Sequence, residues 1–214
     1  MKQFFEKFLD LIYKKKCYFC KNSKEAVKMC SKCYNELEHL PIKVNRIINS
    51  KKIYCAGGYS KNLQKLIRGL KYHKQSDLAY YLAKFMAEYF NKILDKSTYE
   101  VVPVPIFPKR KKKRKYNHMD LVGEEFCRLT GNTLNTTLIE RIKDTKPQYK
   151  LKRNERMKNL NGAFKVNKEN YKGGKILLID DICTTGSTFE EMIQELKKAG
   201  ITDILCLSAT TPFD

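Results

Sequence analysis

The sequence predicts an α/β fold: a parallel sheet flanked by helices and preceded by a small cysteine-rich module. Three observations carry this. Residues 175–179 form a β-branched strand, 189–199 an amphipathic helix ended by Gly200, and 204–207 a second strand. A strand–helix–strand unit of this length pairs its strands in parallel. Upstream, the apolar run 101–104 is stopped by prolines and followed by a helix over 119–130, closed by Gly131. Finally, 214 residues suffice for one large domain plus a module, and 42% hydrophobic residues suffice for a core.

Residues 1–50 are read as the cysteine module with an N-terminal helix, and 51–214 as the α/β domain. Within 1–16, Phe4, Phe5, Phe8, Leu9 and Ile12 recur at helical spacing. Glu6, Lys7 and Asp10 interrupt any apolar core of a signal peptide. No window reaches the 18 or so apolar residues of a membrane span. Stable membrane insertion is therefore not expected, and the cytoplasm is the expected compartment. Residues 53–98 read as helical: Leu63, Leu66, Ile67 and Leu70 form one stripe, and Leu78, Tyr81, Leu82, Phe85, Tyr89 and Phe90 another. Both stripes are core.

Lys and Arg number 43 against 23 acids, a net charge of +20. That excess points to an anionic partner. Seven of the cations are consecutive: Lys109, Arg110, Lys111, Lys112, Lys113, Arg114 and Lys115. A run of this kind reads as a solvated loop or as a track for phosphates. Tyr116 and His118 follow and offer flat faces for base stacking.

Cys17 and Cys20, then Cys30 and Cys33, form two CxxC knuckles with nine residues between them. Four thiolates at this spacing suit tetrahedral Zn²⁺, with an iron–sulfur cluster or two redox pairs as rivals. Such a site is closed and structural. Cys55, Cys127 and Cys206 lack partners at ligand spacing and read as buried thiols.

The most informative stretch runs from Lys175 to Thr188. A hydrophobic strand delivers Asp180 and Asp181, then Cys183, Thr184, Thr185, Gly186, Ser187 and Thr188 turn into a helix. The loop's N–H groups and hydroxyls suit a phosphate, and the acids suit sugar hydroxyls. Neither a Gly-Lys-Ser/Thr loop nor GxGxxG is present, which excludes those two nucleotide sites.

This stretch resembles the phosphoribosyl pyrophosphate (PRPP) signature of type I phosphoribosyltransferases. The resemblance implies ribose contacts for Asp180 and Asp181, and a 5′-phosphate cradle over residues 183–188. With the cysteine module, Leu70-Lys71-Tyr72, the Val-Pro-Val-Pro at 102–105 and Arg114-Lys-Tyr-Asn-His118, the chain resembles ComF-type competence proteins. Gln148, Leu151, Arg156, Asn159, Gly162 and Phe164 match a further stretch of that family. Lys115 stands where the family usually has glycine. The resemblance implies a type I phosphoribosyltransferase-like sheet, PRPP bound with Mg²⁺, single-stranded DNA as a partner over residues 109–116, and contact with other DNA-uptake proteins. Transfer at the anomeric carbon would need an acceptor, which the sequence does not name. A nucleobase-salvage phosphoribosyltransferase and a PRPP-sensing regulator are the alternatives.

Overall fold

The computed structural model describes residues 16–93, 97–145 and 160–212. Two compact units divide the chain, Met1–Glu38 and His39–Asp214. The expected N-terminal helix lies almost wholly outside the described residues, as do Gln148, Leu151, Arg156 and Asn159.

The first unit is built on tight turns. Cys17 N–H donates to the Asn22 carbonyl at 2.8 Å, Tyr18 N–H to Lys28 at 2.7 Å, and Lys21 N–H to Cys17 at 2.9 Å. A short helix, α1 (Ser31–Asn35), follows. The Glu25 carboxylate accepts from the Ser31 N–H at 2.9 Å and from its hydroxyl at 2.7 Å. This satisfies the start of a helix too short to stand alone.

The second unit runs β1 (Arg46–Ile48), β2 (Lys51–Gly58), α2 (Lys61–Tyr72), α3 (Leu78–Ile93), β3 (Tyr99–Pro103), α4 (Pro108–Arg114), α5 (His118–Thr130), β4 (Thr133–Leu134), β5 (Ile139–Arg141), β6 (Phe164–Val166), β7 (Lys175–Ile182), α6 (Ser187–Lys198) and β8 (Ile204–Thr211). Six strands form one sheet in the order β1-β2-β8-β7-β3-β4, and β5 pairs with β6 separately. All neighbours in the large sheet are parallel except β1 with β2. The α/β class expected from the sequence is present. Ile176, Leu177, Leu178 and Ile179 are all fully buried, as a central parallel strand covered on both faces requires.

Two features depart from the sequence reading. Residues 51–58 form a strand, not helix: Ile53 pairs with Cys206 and Cys55 with Ser208. Its Cys55-Ala-Gly-Gly58 end carries no β-branched residue, so the pleat comes from its neighbour rather than from propensity. The basic run is not an irregular loop but helix α4, with Pro108 in its first turn. The second unit begins at His39, and there Leu40 N–H donates to the Ala56 carbonyl at 2.8 Å.

Helix α2 starts where Ser60 accepts from the Leu63 N–H, and buries Leu63, Leu66, Ile67 and Leu70. Helix α3 lies on α5, with Phe90 and Phe126 edge to face at 5.1 Å. Helix α5 reaches the sheet through Gly123, where an added Cβ would come within 2.9 Å of Pro103 and 2.8 Å of Leu134. Asn117 caps α5 by accepting from Met119 N–H, and its amide donates to the Val104 carbonyl at 3.2 Å and to Asp120 at 2.7 Å. One side chain thus fixes how the chain passes from β3 through α4 into α5.

Candidate functional site

The site forms where β7 ends. Asp180 and Asp181 lie in the last residues of β7, just past the end of β3, where Pro103 pairs with Ile179. This is the edge at which open α/β sheets bind ligands. Asp181 is 3% exposed and accepts from Lys71 Nζ at 2.6 Å and from His118 Nε2, both on Oδ2. Asp180 is only partly buried, and its Oδ1 accepts from the Asp181 backbone N–H at 2.8 Å.

The two carboxyls differ sharply. Burial pushes both pKa values up. For Asp181 the Lys71 charge and the His118 contact outweigh burial and hold it well below the usual carboxylate range. For Asp180 burial and the neighbouring Asp181 charge win, and its pKa rises to about 7. Burial also lowers the Lys71 pKa, but Asp181, with Asp180 behind it, more than offsets this and leaves it raised. Burial lowers the His118 pKa, so at pH 7 the ring is neutral and Nε2 carries the proton that Asp181 accepts.

Arg141 adds a second cation. It is 9% exposed, stacks over Phe164 at 5.4 Å and donates to Thr145 Oγ1. Burial and the nearby Arg110 pull its pKa down to about 10, against the attraction of Asp180. Arg110 pairs with Asp144 at 3.5 Å and donates to the Thr145 carbonyl.

After Asp181, Cys183 turns its thiol into the core at 2% exposure, so it offers the loop only its backbone. Thr184 and Thr188 are partly buried. Thr185 Oγ1 lies 2.6 Å from Ser187 Oγ and accepts from the Ser187 N–H. Gly186 has φ +82° and precedes α6 with no side-chain cap. Its lack of a Cβ has a reason the sequence hides: a Cβ there would lie 2.3 Å from Ile48 Cδ1.

The basic run divides. Lys111 pairs with Asp120 at 3.2 Å, Arg110 is held as above, and the Arg114 guanidinium covers the Tyr72 ring at 5.4 Å. Lys109, Lys112, Lys113 and Lys115 are exposed and make no ion pair among the described residues. Tyr116 is partly buried and its hydroxyl donates to the Leu70 carbonyl at 2.9 Å. His118, read as a stacking face, is instead buried against Asp181. Lys115 adopts φ +71°, so the left-handed turn persists without glycine.

Lys71 and Arg141 were not singled out as site residues by the sequence. Both leave a trace in it. Lys71 falls four residues after Ile67, on the apolar stripe of α2, and Arg141 alternates with Ile139 on the inward face of β5.

In the first unit, the sulfurs of Cys17, Cys20, Cys30 and Cys33 all lie within 4.8 Å of one another. Cys20 and Cys30 are 3.6 Å apart, and the Cys30 N–H points to Cys17 Sγ at 3.4 Å. A tetrahedron of thiolates about 2.3 Å from Zn²⁺ has edges of about 3.8 Å, so the donor set fits a metal ion. Burial raises the Cys17 pKa, but N–H groups of Cys20, Cys30 and Phe19 bring it down to about 6, favouring thiolate.

The family model described as the phosphoribosyl transferase domain matches residues 142–211, the stretch that holds the strand ending in paired acids and the hydroxyl-rich turn after it. Beyond that domain, the chain is similar to competence protein F of Haemophilus influenzae, 27% identical over 201 residues, covering 88% of this chain and 86% of that protein. It is similar also to the DNA utilization protein YhgH of Salmonella typhimurium and of Escherichia coli K12. Each is 24% identical, covering 91% of this chain and 90% of the relative. The likeness to ComF-type proteins therefore extends along nearly the whole chain.

Proposed function

We propose that this protein binds PRPP with Mg²⁺ at the end of β7 and handles single-stranded DNA in the cytoplasm during natural transformation, in contact with other DNA-uptake proteins. The observation that carries the PRPP reading is the Asp180–Asp181 pair set between Lys71 and Arg141 at the head of the 184–188 turn. Ionised carboxylates accept from sugar hydroxyls, while the turn's N–H groups and hydroxyls donate to a 5′-phosphate. Arg141, whose charge acts on Asp180, and Arg110 next to it would meet the pyrophosphate. Bound Mg²⁺ would neutralise that pyrophosphate.

For DNA, the four exposed lysines of residues 109–115 supply phosphate contacts, and Tyr72, 57% exposed beneath Arg114, supplies a stacking face next to them. The relatives' names, competence protein and DNA utilization protein, agree with this use. In the cysteine unit the metal is Zn²⁺, held by Cys17, Cys20, Cys30 and Cys33. No helix among the described residues is long and apolar enough to cross a membrane. The experiment is a titration of labelled single strands with and without PRPP–Mg²⁺, beside calorimetry with PRPP alone. Failure of wild type to bind PRPP removes the first half of the reading, and failure to bind DNA at about 50 mM salt, where phosphate contacts are strong, removes the second.

A further inference from the structure

Two donors from different helices meet on one oxygen. Lys71 Nζ comes from the last turn of α2 to within 2.6 Å of Asp181 Oδ2, and His118 Nε2 comes from the first turn of α5 to the same atom. Neither is incidental to its helix. Lys71 follows the buried Leu70, and His118 follows the Asn117 cap that is itself tied to Val104 and Asp120.

Stability alone does not call for this arrangement. One cation suffices to compensate a buried carboxylate, and apolar side chains of similar volume serve as well or better. The second donor also has a cost. His118 is 3% exposed and its Nδ1 has no hydrogen-bond partner among the described residues. Buried polar atoms are seldom left so, and the exceptions gather at sites of function.

We propose that Lys71 and His118 are positioning residues of the ligand-binding carboxylates: by occupying Oδ2 of Asp181 together, they fix that group as a charged acceptor and leave Asp180 as the member of the pair that exchanges a proton. The inference rests on the reading of this pair as the sugar-hydroxyl site. Its chemistry is asymmetric. Asp181 accepts from one hydroxyl through Oδ1, and Asp180 must lose its proton to become a full acceptor for another. Ligand binding is then coupled to proton release from Asp180 below neutral pH. The groups facing the pair come from every neighbouring element: Lys71 from α2, His118 from α5, Arg114 from α4 beside His118, and Arg141 from β5 beside Asp180.

Carbon-13 NMR of the full chain labelled at the aspartate carboxyl carbons tests this without any ligand, with Asp180→Asn and Asp181→Asn assigning the two signals. In wild type the Asp181 signal is expected to stay flat from pH 4 to 8 while Asp180 titrates near neutrality. Lys71→Met is expected to move the Asp181 titration upward by about one pH unit or more, and Lys71→Arg to restore it. His118→Leu should act in the same direction, and His118→Gln, which keeps an N–H for Oδ2, should not. Thermal melting identifies variants that fold. If Asp181 titrates alike in wild type, Lys71→Met and His118→Leu, or if both aspartates titrate together in wild type, the positioning role is overturned. A parallel PRPP–Mg²⁺ titration separates the two ideas. With the positioning role, the pH of half-maximal affinity moves up in Lys71→Met, whereas a packing role lowers affinity evenly at every pH. Wild type that binds no PRPP removes the sugar reading and leaves the carboxyl titration to decide the clamp.

Discussion

Ile48 lies directly over Gly186, with its Cδ1 only 2.3 Å from where a Cβ would stand. The edge strand β1 thus covers the turn that the sequence marks for phosphate, and the glycine answers to packing as well as to any ligand. Gly186→Ala adds a clash and places a side chain at φ +82°. Ile48 ends in a methyl on an edge strand and can swing aside, so the left-handed backbone carries most of the cost, about 1–2 kcal/mol. Urea denaturation should show this loss, and Ile48→Val in the same background should recover only a small part. A Gly186→Ala protein as stable as wild type refutes the account.

Lys115 sets up the opposite experiment. It ends α4 in a left-handed conformation that glycine adopts without cost, at φ +71°. Lys115→Gly should stabilise the fold by up to about 1 kcal/mol, because relief of strain slightly exceeds glycine's extra unfolded-state entropy. A lower denaturation midpoint in the variant would show that the lysine makes a contact worth more than its strain.

The four-cysteine unit should carry one equivalent of zinc by elemental analysis of purified protein. Cys17→Ser or Cys30→Ser should release it. The fold of this unit should be lost with the metal, since few of its described residues are buried and metal binding then supplies its folding free energy. PRPP titration of these variants should be unchanged, as every residue assigned to that site belongs to the other unit. No zinc, or an iron–sulfur absorption band, would contradict the assignment.

On DNA, the structure redistributes the basic run. Lys111 has a partner in Asp120, whereas Lys109, Lys112 and Lys113 are exposed. Replacing those three with Ala should flatten the log–log salt dependence of single-strand binding by up to about two units, at about 0.7 per phosphate. Tyr72→Ala should weaken binding by about 1–3 kcal/mol with the slope unchanged, because stacking releases no counterions. Equal slopes in wild type and the lysine variant would place the DNA elsewhere.

What was legible in the sequence follows the physics of each element. Strand β7 and helix α6 announce themselves because a fully buried strand must be apolar and its helix must end at Gly200. Asp180 and Asp181 stand out because two acids at the end of such a strand have no packing role. Strand β2 was hidden, since Ala56, Gly57 and Gly58 pair through backbone alone. Helix α4 was hidden too, because seven cations show no apolar face and Pro108 sets only the first turn. The hardest features to read were Lys71 and His118, whose meaning exists only once α2 and α5 converge on β7, a long-range contact that no local pattern encodes.

Burial and the Asp181 charge raise the Asp180 pKa to about 7, above its unfolded value near 3.8. A group raised on folding stabilises most below its unfolded pKa, and that contribution is lost as pH climbs through its folded pKa. Asp180 should therefore weaken the protein progressively between about pH 4 and 7. Asp181 has the opposite sign: its lowered pKa stabilises above the unfolded value, and that gain disappears only in acid. Asp180→Asn, which cannot ionise, should raise stability at pH 8 by about 1–2 kcal/mol, less than complete burial would carry because the side chain is partly exposed. The gain should be clearly smaller at pH 5 and vanish only below about pH 4, the unfolded pKa. Asp181→Asn should destabilise at both pH values by leaving the Lys71 charge without its partner, about 3–5 kcal/mol where such a pair is fully buried and less here, since Lys71 is 19% exposed. Urea denaturation at pH 5 and 8 reads all four numbers. A gain for Asp180→Asn that is equal at the two pH values would mean that Asp180 is already ionised at pH 5, and the asymmetry assigned to the pair would be wrong.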